Sequence, residues 1–364
     1  MNRTSLSGAA IALAILAAAC GDSSKIGQSG GTTVPGGQGN TATTEAAISA
    51  TLNASGATFP KAFYEVAIAS YKEVQAGVTV NYNSVGSGAG RQNLQDGVVD
   101  FAGSDGLVAD ADKPRYKGEF VYVPTVAAPI TVSYNLNGVN ELQLDADTIA
   151  KIFQRQITTW NDPAIAALNP GARLPATDIT VARRSDGSGT TENFTRYLVA
   201  AAPDTWTLRS GSTVEWPAST QAGQGNTGVA QIVKATPGGI GYVDLSDAKA
   251  SSLQFARVRN KAGKAVAPSL EGASAALAGA QVNADLTYNP LNADGDASYP
   301  ITAPTWVLVY KNQTDKAKGA AIKSFLKYVL TDGQKLAKEV DFAPLPASLQ
   351  LRALAQVEDI TVPA

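Results

Sequence analysis

The chain has 364 residues, with 29 Lys and Arg against 31 Asp and Glu and a formal charge of −2, so its overall balance gives no drive toward nucleic acid. Histidine is absent and Cys20 is the single cysteine, which removes Ser/His/Asp and Cys/His triads, His-ligated metals, internal disulfides and thiolate clusters. Carboxylate, hydroxyl, Arg/Lys and backbone chemistry remain, on a chain long enough for about two packed domains.

In chain order, the first feature is an address. Arg3 precedes an apolar run from Ala9 to Ala19 that stops at Cys20, the pattern of a secretory signal and too short to cross the ~30 Å of a bilayer core. A cysteine directly after that run resembles a bacterial lipobox, although Ala17 stands three before Cys20, where Leu is usual, and Leu16 lies one earlier. Residues 1–20 are therefore expected to be a lipoprotein leader, with Cys20 acylated and the mature protein held outside the cytoplasm on a lipid anchor. Residues 21–44 are rich in Gly, Ser, Thr and Gln. Such a segment buries too little apolar surface to offset chain entropy, so it reads as a flexible tether.

Beyond the tether, strand-like and helix-like patterns alternate. Pro60 opens a helical pattern with Phe63, Val66, Ile68, Tyr71 and Val74 as its apolar positions. The β-branched runs 78–82, 120–123, 130–134, 179–181 and 306–310 read as strands. Residues 261–299, dominated by Ala, Gly, Asn and Asp, read as loop-rich, and Ile322, Phe325, Leu326 and Val329 mark one face of a late helix. Together these predict an α/β protein with mixed, mainly parallel sheets and one bilobed body.

Three turns share one chemistry. The segments 54–60, 85–90 and 183–190 each follow a strand-like run, combine Gly with Ser or Thr, and open into a helical pattern. Free N–H groups and the positive end of a helix dipole suit an anion, and Gly lets the backbone approach it closely. Any one of these turns also reads as an ordinary capped helix start. The run 100–105 adds Asp105, a carboxylate just after a strand, where an α/β fold places its ligand crevice. An ionised carboxylate only accepts hydrogen bonds, so it tolerates an anion that keeps a proton, such as hydrogenphosphate, and repels sulfate.

The sequence resembles the PstS family, the periplasmic phosphate-binding proteins of high-affinity phosphate ABC transporters. The likeness runs in order through Gly56–Pro60, Val99–Asp105, Ile157–Asp162, Asn169–Pro170, Arg183–Thr190, Gly211–Pro217, Gly225–Asn226, Gly239–Val243 and Tyr299–Thr302. It implies a bilobed periplasmic-binding-protein fold of type II, two α/β lobes joined by a hinge with the ligand in the cleft. Residues 45–125 plus 302–364 are expected to form one lobe and 126–301 the other. The resemblance assigns phosphate contacts to Thr58, the backbone of Phe59, Ser87, Asp105, Arg184, Ser188, Gly189 and Thr190. Asp105 would accept the ligand's proton, and Asp186 would orient Arg184. Gly88 stands where some relatives carry a second Ser, leaving a backbone contact only, and Lys61 reads as a solvated helix position. The implied protein is a monomer without cofactor or metal. It hands inorganic phosphate to an inner-membrane permease and its ATPase.

Other readings stay in view. A site for another tetrahedral oxyanion is one, with arsenate, protonated like phosphate, ahead of sulfate. An extracytoplasmic hydrolase is a second, disfavoured because neither Ser87 nor Ser188 has Gly two residues before it and no histidine is present to act as base. A surface lipoprotein with an idle phosphate site is a third.

Overall fold

Hydrophobic runs separated by Gly-rich turns dictate the architecture, which a computed structural model describes for residues 48–364. The expected leader, Cys20 and the tether to residue 44 lie outside the described residues. β1 (Ala50–Gly56) leads into α1 (Lys61–Val74), β2 (Val78–Ser84) into α2 (Ser87–Asp96), and β3 (Phe101–Ser104) into the segment around Asp105. β4 (Phe120–Tyr134) follows. Then come β5 (Thr180–Arg184) with α3 (Gly189–Ala201), β6 (Gln221–Gly223) with α4 (Gly225–Ala235), and β7 (Gly239–Asp244). β8 (Thr302–Tyr310) and α5 (Lys316–Leu330) return late in the chain.

The strands form one nine-stranded sheet in the order β2-β1-β3-β8-β4-β7-β5-β6, with the short strand Gln254–Phe255 also paired to β4. Parallel pairing is confined to the two wings, β2-β1-β3 and β7-β5-β6, whereas β8 and β4 run antiparallel to their neighbours. The sheet is therefore evenly mixed rather than mainly parallel. The reason is the late return of β8, which inserts between the first wing and β4.

The runs 120–123 and 130–134, read as two strands, belong to the single strand β4. Pro124 and Pro129 look like breakers in sequence, since proline gives no N–H to a ladder. Here Pro124 lies opposite Trp306 at a register irregularity, and Pro129 is the last residue paired to β8 before Ile130 takes up β7. β4 thus serves both wings. The chain returns beside that changeover, where Ile130 N donates to Ile301 O at 2.8 Å.

Helices cover the sheet with the faces their patterns give. In α5, Ile322, Phe325, Leu326 and Val329 are buried as their spacing predicts, and Phe325 stacks on Phe101 at 5.7 Å. In α1 the buried face is Phe63, Tyr64, Ala67 and Tyr71, while Val74 is 65% exposed at the helix end. Of the five positions read as its apolar face, Phe63 and Tyr71 are buried, Val66 and Ile68 are half-buried and Val74 is exposed, so the buried stripe runs through Tyr64 and Ala67 instead. Pro60 is its N-cap rather than its first helical residue. The loop-rich segment 261–299 contains a helix at Leu270–Ala278. In the second half Trp160 is fully buried, its Nε1 donating to Gly238 O at 3.0 Å. Burial of a ring that size contributes ~2–3 kcal/mol.

Candidate functional site

The strand ends of the two wings point into one seam. The β1–α1 and β2–α2 turns and the residues after β3 come from the first wing, and the β5–α3 and β6–α4 turns come from the second. Glycine makes the approach possible: Gly88 N donates to Gly187 O at 2.8 Å across the seam. A Cβ on Gly189 would stand 2.5 Å from Ser87 Oγ and 2.7 Å from Asp105 Cβ, so this helix start admits no side chain.

From the first wing, Thr58, Ser87 and Asp105 are buried at the seam. The Phe59 ring packs on Phe342 at 5.9 Å in the core, so its backbone is what faces the turn. Ser87 Oγ accepts from Asp105 N at 3.2 Å and lies 3.3 Å from Asp105 Oδ2 as a donor. Thr305 Oγ1 donates to Asp105 Oδ1 at 2.8 Å. Lys61 points elsewhere, exposed and 3.8 Å from Glu65. Gly88 uses its N–H on Gly187 O, so the backbone group expected to meet a ligand there bonds the opposite turn instead.

From the second wing, Arg184 is 3% exposed and Thr190 fully buried. Arg184 Nε donates to Asp186 Oδ1 at 2.8 Å and its Nη2 to Asp186 Oδ2, while Nη1 reaches Thr190 Oγ1 at 3.3 Å. Asp186 orients the guanidinium as a fork and also accepts from Gly225 N at 3.1 Å. Burial alone would raise the Asp186 pKa, but the Arg184 hydrogen bonds and charge outweigh it and hold this carboxyl below its usual value. Ser188 Oγ caps α3 by accepting from Thr191 N at 3.1 Å, which leaves its O–H free to donate elsewhere.

Asp105 is the outlier. At 1% exposure, burial pushes its pKa from 3.8 up to about 7, against the hydrogen bond from Thr305, the positive charge of Arg184 and the hydrogen bond from Ser87. Thr305→Val removes the strongest of these opposing influences. The Asp105 carboxyl is expected to titrate above 7 in that variant, and carboxyl-resolved NMR titration of both proteins checks it; an unchanged titration midpoint contradicts the role given to Thr305.

Three polar residues join the site that sequence reasoning left unassigned. Asn226 at the start of α4 donates from N and Nδ2 to Thr58 Oγ1, both at 3.3 Å, and from Nδ2 to Thr190 Oγ1 at 3.2 Å. It bridges the two wings. Asn193 donates from Nδ2 to Asp105 O at 2.6 Å and Gly189 O at 3.0 Å, and Thr305 supports Asp105 as described. The Gly225-Asn226 pair is a visible signal, a helix start of the same kind as the other turns with Gly225 at φ +66°. Asn193 and Thr305 carry no such mark.

Strand-end turns from two wings, closing on a buried set of hydroxyls, one Arg and one carboxylate, define a bilobed solute-binding protein. Residues 41–333 match the model of the PBP superfamily domain. The chain is 37% identical over 312 residues to the phosphate-binding protein PstS of Pasteurella multocida, covering 84% of this chain and 89% of that one. It is 35% identical over 360 residues to PstS 3 of Mycobacterium tuberculosis, 95% of each chain. The chain belongs to the PstS family of phosphate-binding proteins. Its fold is also that of a high-affinity periplasmic phosphate-binding protein, PfluDING, solved with phosphate, at TM-score 0.71 and 23% identity over 84% of this chain and 93% of that one.

Proposed function

We propose that this protein captures inorganic phosphate between its lobes and delivers it to the permease of an ABC transporter. The observation that carries this reading is the pairing of one buried acceptor, Asp105, with donors from both wings, around the buried guanidinium of Arg184 that Asp186 already neutralises. Such a site binds an anion through oriented dipoles and charge-assisted hydrogen bonds rather than bulk positive charge. Thr58, the Phe59 backbone, Ser87, Ser188, the Gly189 N–H, Thr190 and Arg184 donate to phosphate oxygens. Asp105 accepts the one proton that the anion keeps, and Asn226 completes the cage.

The lobes are 45–125 with 302–364, and 126–301 between them; the changeover of β4 at Pro129 and Ile130 supports this division. Trp306 Nε1 donates to Leu286 O at 3.1 Å, so part of the later segment folds back over the first lobe. The protein acts by binding and release, without bond chemistry or cofactor, as a monomer. It works in the periplasm or cell envelope, anchored through an acylated Cys20; among the described residues no helix is long and apolar enough to cross a membrane. Arsenate, with the same proton and shape, is the competing ligand.

Calorimetry tests the reading. Titration with phosphate is expected to show saturable one-to-one binding at micromolar or tighter levels, with arsenate competing and excess sulfate at pH 8 without effect. Absence of saturable phosphate binding rejects the proposal.

A further inference from the structure

We propose that Arg91 and Glu192 are a latch across the seam, positioning residues that hold the two halves of the phosphate site together and set how long phosphate stays. This rests on the phosphate reading above. Arg91 projects from α2 in the first lobe and Glu192 from the first turn of α3 in the second, two residues beyond Thr190. Arg91 Nη1 lies 3.4 Å from Glu192 Oε2, and both side chains are 15% exposed. The guanidinium is already seated within its own lobe, donating to Ser104 Oγ and Leu107 O at 3.3 Å each, and Tyr116 OH donates to Arg91 O at 3.3 Å. Glu192 is fixed by a capped helix, its N–H donating to Ser188 O at 3.0 Å.

Between them lies bare backbone. A Cβ on Gly106 would fall on Glu192 Oε2 and stand 2.8 Å from Arg91 Nη1, so the charged ends pack where no side chain fits, next to Asp105. The neighbour of Glu192, Asn193, bonds the Asp105 carbonyl in the same strip. Because the Arg91 guanidinium is already held within its own lobe and Glu192 rises from the fixed first turn of α3, bringing them together orders little beyond the Glu192 side chain. The pair exists only when the cleft is shut, so it stabilises the closed state alone. An interaction gained after encounter slows dissociation and leaves association nearly unchanged.

The test is stopped-flow and calorimetric binding of inorganic phosphate to wild type, Arg91→Met, Glu192→Gln and the double variant of the full chain. The dissociation rate is expected to rise about 5- to 30-fold in each single variant, as for a partly buried charge pair, with the association rate within about twofold. The double variant is expected to be no faster than Arg91→Met alone, because the second change removes a partner already lost. Multiplying effects in the double variant, or changes confined to the association rate, overturn the latch. Glu192→Gln is nearly isosteric and carries the test if Arg91→Met fails to fold; an unchanged dissociation rate in it overturns the proposal. Wild type that fails to bind phosphate rejects both readings, whereas normal wild-type binding with unaffected variants rejects the latch only.

Discussion

Arg184→Met is expected to weaken phosphate binding by about 10²- to 10⁴-fold. Of the five N–H groups on a guanidinium, two of those on Arg184 go to Asp186 and one to Thr190 Oγ1, leaving two for an anion in the seam. Two charge-assisted bonds at ~1.5–3 kcal/mol each account for that range. The variant also leaves Asp186 as a nearly buried charge without its cationic partner, holding only the hydrogen bond from Gly225 N. Breaking a buried pair from one side costs ~3–5 kcal/mol of stability, so Arg184→Met is expected to melt earlier as well. Adding Asp186→Asn relieves both faults: the double variant is expected to regain most of the melting temperature and about tenfold of the lost affinity, without approaching wild type. Calorimetry with thermal melts distinguishes these contributions, and a double variant that binds as tightly as wild type removes Arg184 from the site.

Asp105→Asn is expected to abolish discrimination between phosphate and sulfate. With its pKa near 7, Asp105 is mostly ionised at pH 8.5, where it is expected to accept the proton of hydrogenphosphate and repel sulfate. At pH 5.5 it is mostly protonated and can donate to a sulfate oxygen. Sulfate affinity of the wild type is therefore expected to rise steeply as pH falls through 7, while phosphate, which brings its own proton, changes far less. An amide donates at every pH, so in Asp105→Asn sulfate binding becomes nearly pH-independent and gains about 10²-fold or more at pH 8.5. Sulfate titrations at the two pH values decide it; wild-type selectivity retained in the variant sinks the role of Asp105.

The same carboxyl affects stability in a defined direction. A folded-state pKa raised above 3.8 means that the folded protein binds the proton more tightly between pH 3.8 and about 7. The stability this contributes is complete below 3.8 and is lost as pH rises through 7, an upper limit on the order of 4 kcal/mol. Ligand-free Asp105→Asn does not share that loss, so its melting temperature relative to wild type is expected to climb over this interval.

Much of the candidate site was legible because its parts carry a local signature. Thr58, Ser87 and Ser188 to Thr190 sit in Gly-rich turns between a strand-like run and a helical run, a pattern that reads as an ordinary cap at any one turn and points to an anion only because three turns share it. Asp105 was marked by its position after β3. Asn193 and Thr305 were not legible: one lies within a helix and the other within a strand, and only the closing of distant segments brings them to Asp105. Asn226 stood in a recognisable Gly-Asn helix start, but an Asn there also reads as an ordinary cap. The fold showed the same limit. The wings follow from short-range patterns, whereas the insertion of β8 and the continuity of β4 past two prolines depend on pairing partners far away in sequence.

β4 serves both wings, laddered to β8 up to Pro129 and to β7 from Ile130, so the proposed lobes are joined through the sheet instead of a slack linker. Separation of such lobes would be confined to small dihedral changes near Pro129 and Ile301, because sideways slip would break the ladder. A hinge of that kind would act as a torsion spring with one soft axis, so that reassembly of the proposed site would be guided by the crossing strands and not by the cargo.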